Sequence, residues 1–107
     1  MSYSIVPTER FFKDAKRLKK KFPSLKQDLL DLESNLLENP TYGTSLGDDC
    51  YKIRLAIKSK GKGKRGGARV ITNVKIVDEI IYLLSIYDKS EKSDIDDDEL
   101  KSWIKDL

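Results

Sequence analysis

The stretch Tyr51–Arg69, reading YKIRLAIKSKGKGKRGGAR, restricts the fold more than any other part of the chain. Tyr51, Ile53, Leu55 and Ile57 alternate with Lys52, Arg54 and Lys58. A period of two belongs to a half-buried strand, because successive side chains leave a pleated backbone on opposite faces. The pattern predicts a strand over Tyr51–Lys58 whose apolar face needs a covering layer, with Lys52 and Arg54 projecting together from the other face. Two adjacent cations repel by about 1 kcal/mol at contact distance even at a water-like dielectric. Structure alone rarely demands that arrangement, whereas an anionic ligand explains it, RNA phosphate first. A loop over Ser59–Gly67 then carries Lys60, Lys62, Lys64 and Arg65 and delivers the chain to Arg69 with no acidic residue on the way.

The covering layer is legible upstream. Tyr3–Val6 is a short β-prone run ended by Pro7, and reads as an edge strand. Thr8 is placed to cap a helix with Phe12, Ala15, Leu18 and Phe22 on one side and Lys13, Lys16, Arg17, Lys20 and Lys21 on the other. Pro23 ends it. Ser24 with Gln27 has the spacing of a capping box for a second helix. Leu25, Leu29, Leu32 and Leu36 form its apolar stripe, widened by Leu30 and Leu37. Asn39-Pro40 stops that helix, since the residue before proline is pushed out of the α region. The short turn between the two helices implies an antiparallel hairpin on one sheet face.

Downstream, Thr41–Asp49 reads as a loop with Gly43 and Gly47. Ala68–Ile76 and Ile80–Tyr87 are two further strands divided by the turn Asp78-Glu79. IIYLLSIY is apolar on both faces, as an interior strand is. At the C-terminal end Asp96 and Glu99 repeat the capping-box spacing, and Ile95 with Leu100 has that of a hydrophobic staple. Leu100, Trp103, Ile104 and Leu107 give this last helix a narrow apolar stripe. The expected architecture is α+β, an N-terminal strand and helical hairpin on a mainly antiparallel four-stranded sheet, with a short C-terminal helix (β-α-α-β-β-β-α). A chain of 107 residues has room for one such domain, spanning 1–107.

Composition narrows the chemistry. The net charge of +3 is mild, but the bases concentrate in Lys13–Lys21 and Lys52–Lys75 and the acids in Asp94–Glu99. Cys50 is the only cysteine, so neither an internal disulfide nor a cysteine-rich zinc site forms, and it is expected to pack near a strand start. Histidine is absent, which removes the commonest general base and metal ligand. Acid–base work falls to Lys, Arg, Tyr, Asp or Glu. Met1–Pro7 lacks the cationic start and apolar core of a signal peptide, and no apolar run is long enough to span a membrane, so a cytoplasmic location is expected. GKGKRGG is not a nucleotide-binding P-loop: that motif ends in Gly-Lys-Ser/Thr and opens a helix, whereas Gly66-Gly67 opens a strand. Its cations, together with Lys58, suit a mobile loop touching phosphates rather than bases.

CYKIRLA, the lysine-rich loop, GGARVI and LLSIYDKSEKSDI, in that order and spacing, resemble the RelE/HigB branch of the RelE/ParE toxins over most of the chain. The resemblance implies a cytoplasmic toxin of a bacterial type II toxin–antitoxin pair. It implies cleavage of mRNA in the ribosomal A site, inhibiting translation, and silencing by a cognate antitoxin encoded nearby. Neither a metal, a small-molecule cofactor nor a membrane enters. By this likeness Lys52 and Arg54 match the family's paired cations and Arg69 its transition-state arginine, while Lys58, Lys60, Lys62, Lys64 and Arg65 would meet RNA backbone. The proton-transfer half departs from the family: the position of its C-terminal tyrosine holds Asp96, and an arginine position holds Ser90, beside Lys89. Tyr87, Lys89, Glu91 and Asp94 are the groups left for that role, with Lys52 placed to share a proton with nucleophile or leaving group. Two other readings stay open, a ParE-like gyrase inhibitor and a non-catalytic RNA- or protein-binding module descended from such a toxin.

Overall fold

A computed structural model describes residues 2–107; Met1, the first residue of the stretch read for a signal peptide, lies outside them. Every strand joins one mixed sheet in the order β1-β5-β4-β3-β2. These are β1 (Ser4–Pro7), β2 (Thr44–Gly47), β3 (Cys50–Leu55), β4 (Ala68–Lys75) and β5 (Ile80–Asp88). β1 runs parallel to β5 at one edge, and the other pairings are antiparallel. The doubly apolar β5 is interior, as its sequence requires, with β1 on one side and β4 on the other.

Helices α1 (Glu9–Lys21) and α2 (Leu25–Glu38) cover one sheet face. Leu18, Leu25, Leu36, Ile53, Val70 and Ile86 form the centre of the core between them and the strands. Thr8 caps α1 as expected, its hydroxyl accepting from the Phe11 N–H. Ala15, Leu18 and Phe22 are buried as expected, and only the first position of the α1 stripe differs: Phe11 is buried, whereas Phe12 is 62% exposed. Phe11, Ala15, Leu18 and Phe22 follow a 4-3-4 spacing that tracks a 3.6-residue turn better than a start at Phe12. Leu30 and Leu37 are likewise about half exposed rather than part of the stripe. The Ser24–Gln27 capping box does not form. The Ser24 hydroxyl binds Asp28 and accepts from the Ser59 N–H, while Gln27 donates to Asp31. A tertiary partner from the basic loop outbids the local motif.

On the opposite face lies α3 (Asp97–Lys105). Here the Asp96/Glu99 capping box is complete, each side chain accepting from the other's backbone N–H. Leu100 and Trp103 pack on Cys50, Ile71, Leu84 and Tyr87, with Ile95 and Ile104 partly buried beside them. Leu107 stays outside this contact, 43% exposed. Cys50 is buried at the start of β3, where its sequence position put it. Arg10 of α1 lies over the Trp103 ring, 5.3 Å from its centroid, tying the last helix to the first.

Two strand boundaries correct the sequence reading, and with them the sheet has five strands rather than four. The presumed loop Thr41–Asp49 contains β2, paired with β3 through Thr44↔Lys52 and Ser45↔Tyr51 and then bulged. Four residues with two polar ones carry no alternation that a sequence can show; the neighbouring strand edge supplies the hydrogen bonds. The strand expected to reach Lys58 ends at Leu55, and Lys58–Lys60 forms a 3-10 turn. The buried Asp28 carboxylate accepts the Lys58 N–H, which draws the chain out of the sheet. Gly67 allows the return. A Cβ there would lie 2.1 Å from the Leu55 carbonyl oxygen. Gly67→Ala is therefore expected to lower stability by about 1–3 kcal/mol, as overpacking of a fixed backbone does, read as a shift of the denaturant midpoint.

Candidate functional site

The register of β3, β4 and β5 decides which cations meet. Arg54 lies opposite Arg69, and Arg69 lies opposite Tyr87. Residues directly opposite in antiparallel strands share a face and stand about 5 Å apart at Cβ. Ile53, Val70 and Ile86 belong to the core under the helical hairpin, and Cys50, Ile71 and Tyr87 to the α3 side. Lys52, Arg54, Arg69 and Tyr87 are thus all on the α3 side, in two adjacent cross-strand rows. A shallow groove of about 440 Å³ beside them is lined by Lys52, Arg54, Lys64, Tyr42 and Thr44.

Arg69 is the anchor of this face. It is only 4% exposed. Its Nη1 donates to the carbonyls of Lys64 (2.9 Å) and Ala68 (3.0 Å), and its Nη2 to that of Arg65 (3.3 Å). Three of the five guanidinium N–H groups are thereby occupied, leaving the Nε–H and one Nη2–H. The basic loop is gathered around this side chain rather than hanging free. Arg54, by contrast, is exposed and in no ion pair among the described residues.

Lys52 is half-buried, its Nζ 3.4 Å from Asp94 Oδ1. The Ile95 N–H on the same oxygen and the Lys52 charge hold the Asp94 carboxyl below the ordinary carboxylate range. Tyr87 is 6% exposed, and its buried hydroxyl makes no hydrogen bond of good geometry among the described residues. Burial first and the Asp94 charge second push it up to about 12, against the opposing pull of Arg69. Asp94 thus belongs to the face; the sequence offered it as one of four candidates, with Tyr87, Lys89 and Glu91, and nothing in the segment set it apart. Its partner across the sheet was the missing signal.

Other expected site residues lie elsewhere. Lys60 leaves the loop surface to bind the buried Asp88 carboxylate and the Ser90 hydroxyl, with its Nζ 5.7 Å from the Phe22 ring centroid. Glu91 turns to α1, where it pairs with Arg17 (3.1 Å) and Lys21 (3.6 Å). Neither is directed at the Lys52–Arg54–Arg69 face. Lys89 donates to the Ser93 carbonyl within its own segment. Lys58 lies 3.8 Å from Asp31, and Lys64 Nζ contacts the Tyr42 hydroxyl. Lys62, Lys64 and Arg65 remain exposed around the loop.

A small α+β domain presenting buried and exposed cations side by side on one sheet face is the class that fold and site define. The model of the RelE toxin of the RelE/RelB toxin–antitoxin system matches residues 5–106, and the chain belongs to that family. Solved structures agree on the fold. Isolated E. coli RelE toxin superposes with a TM-score of 0.62 at 19% identity, covering 98% of this chain and 99% of that one. A doubly substituted E. coli RelE in the free state gives 0.63 at 23% identity, covering 87% and 90%. RelE within the intact E. coli RelBE toxin–antitoxin complex gives 0.61 at 22% identity, covering 80% and 95%.

Proposed function

We propose that this toxin is an mRNA endoribonuclease that inhibits translation by cutting messages held in the ribosomal A site. The observation that carries the reading is the cross-strand convergence of Lys52, Arg54 and Arg69, with Arg54 in no ion pair among the described residues. In the reaction, the ribose 2′-oxygen attacks the adjacent phosphorus and loses its proton. The bond from phosphorus to the 5′-oxygen breaks, and that oxygen is protonated. The products are a 2′,3′-cyclic phosphate and a 5′-hydroxyl. Negative charge grows on the equatorial oxygens, and fixed cations placed there lower the barrier without reorganising. A guanidinium grips two oxygens at once, which an ammonium does not. The N–H groups left on Arg69 suit that role, and Lys52 and Arg54 supply further charge. Few side chains on this face read bases, so a scaffold such as the ribosome would have to present the message.

Mapping 5′ ends on messages in a translating extract tests the reading: new ends are expected inside the coding region. Intact messages would contradict it, and inhibition of gyrase instead would support the ParE-like alternative. The loop cations are expected to act through the backbone. Replacing Lys62, Lys64 and Arg65 together by alanine should weaken binding of single-stranded RNA at low salt. It should also flatten the log–log salt dependence by about 2, at roughly 0.7 per phosphate contact.

The cognate partner in this reading is an antitoxin. The α1–α2 groove, with Phe11, Phe12, Leu29 and Leu30 inside and Lys16, Lys19, Lys20 and Lys26 around it, suits an acidic amphipathic helix. Co-purification with the product of a neighbouring gene, lost in Phe12→Glu, is the expected result.

A further inference from the structure

We infer that Asp94 is the general base that takes the proton from the attacking 2′-hydroxyl, an assignment that rests on the nuclease reading above. The geometry singles it out among the acids near the site. Asp88 is buried on the hairpin side with Lys60, and Glu91 is held by Arg17 and Lys21. Glu99 is paired with Lys92, and Asp96 caps α3 through the Glu99 N–H. Among the described residues only Asp94 pairs with a cation of this face, and its two oxygens differ. Oδ1 is fixed by Lys52 Nζ at 3.4 Å and by the Ile95 N–H at 2.9 Å. Oδ2 takes part in neither of these contacts, and the side chain is 61% exposed. One oxygen is anchored and the other is free to accept a proton, which is the arrangement an orienting pair and a base require.

The charges acting on Asp94 are Lys52 from β3 and Lys89 from its own segment, while Tyr87 from β5, its hydroxyl pushed up to about 12, is neutral. The Ile95 N–H first, and the Lys52 and Lys89 charges after it, hold Asp94 below the ordinary carboxylate range, so its base form is the one present when RNA arrives. The buried Tyr87 hydroxyl, with Arg69 opposite it in the sheet, is near enough for the Asp94 charge to act on it. When Asp94 Oδ2 takes the 2′-proton, the O2′–P bond forms, the P–O5′ bond breaks and the 5′-oxygen draws a proton from water. Asp94 then returns its proton to solvent. Protonation also removes the counter-charge from Lys52, so the ammonium field turns to the phosphate oxygens at the moment their charge peaks. The tyrosine position that Asp96 occupies therefore needs no substitute at the same place: a carboxylate two residues earlier does the work.

Single-turnover cleavage of mRNA on programmed ribosomes tests the assignment. Asp94→Ala is expected to cut about 10²–10⁴ times more slowly than wild type, with an unfolding midpoint close to wild type because the side chain is largely exposed. Added formate should restore at least about ten-fold of that loss in a saturable manner, as a diffusible carboxylate replaces the missing base. Asp94→Asn should be slow and unresponsive, since the amide fills the space. Cleavage by Asp94→Ala within a few-fold of wild type overturns the assignment. So does a slow variant that formate leaves unchanged, which reduces Asp94 to orienting Lys52. A wild-type protein that leaves the message whole removes the nuclease reading itself, a result distinct from both.

Discussion

Arg69→Ala is expected to abolish growth arrest on expression and to slow mRNA cleavage by about 10²–10³, the usual loss when one fixed donor to a developing anion is removed. The side chain has two roles, so the experiment needs two readouts. Its loss withdraws the phosphate clamp and also strands the carbonyls of Lys64, Arg65 and Ala68. Of the three residues only Ala68 is buried, so the loss is that of one buried partner, about 1–3 kcal/mol. A protein that still unfolds cooperatively at a modestly lower temperature yet no longer cuts separates the chemistry from the scaffold. Arg69→Lys should fare little better, because one ammonium cannot hold three backbone carbonyls and two phosphate oxygens together. Toxicity undiminished in Arg69→Ala and in Lys52→Ala would remove the site from this face.

The largest effect on stability is expected at Asp88. Its carboxylate is 1% exposed and bonded by Lys60 and by the Ser90 N–H, with Lys21 at 3.7 Å. Burial pushes its pKa up, but the Lys60 and Ser90 hydrogen bonds and the Lys60 and Lys21 charges outweigh it and hold the group below the ordinary carboxylate value. Asp88→Ala leaves Lys60, itself only 11% exposed, without its counter-charge. Breaking one side of a buried pair costs about 3–5 kcal/mol, on the order of 15 °C in Tm for a domain this size. The sign with pH follows. The folded-state pKa lies below the unfolded one, so the stabilisation is complete above the unfolded value and disappears as pH falls through the folded value. Thermal unfolding from pH 7 downward should show wild type losing its advantage over Asp88→Ala in the acid range. A constant gap would overturn the account.

How much of this was legible in advance differs by element. The α2 stripe Leu25, Leu29, Leu32 and Leu36, the interior strand IIYLLSIY and the Asp96/Glu99 cap each follow from neighbours within one or two turns, and each stands as expected. β2 did not show itself, because a four-residue edge strand owes its existence to the partner it borders. Ser24 failed as a capping box and Lys60 as a loop cation for one reason. Ser59 and Asp88 lie 35 and 28 residues away in sequence, and each offered a better bond than the local one or water.

The site divides along the same line. Alternation in Tyr51–Lys58 by itself put Lys52 and Arg54 on one face, since a strand leaves side chains no other choice. Whether Arg69 joined them depended on the register of β3 against β4, and a slip of one residue would have sent its guanidinium under the helical hairpin. The chain therefore carries its cations, its core stripes and its family membership in the order of its residues. The pairing of Asp94 with Lys52, the clasp of Arg69 on the loop and the burial of Asp88 were decided only by folding. Each joins groups distant along the chain, and the sheet register and packing that bring them together are not written in any one segment.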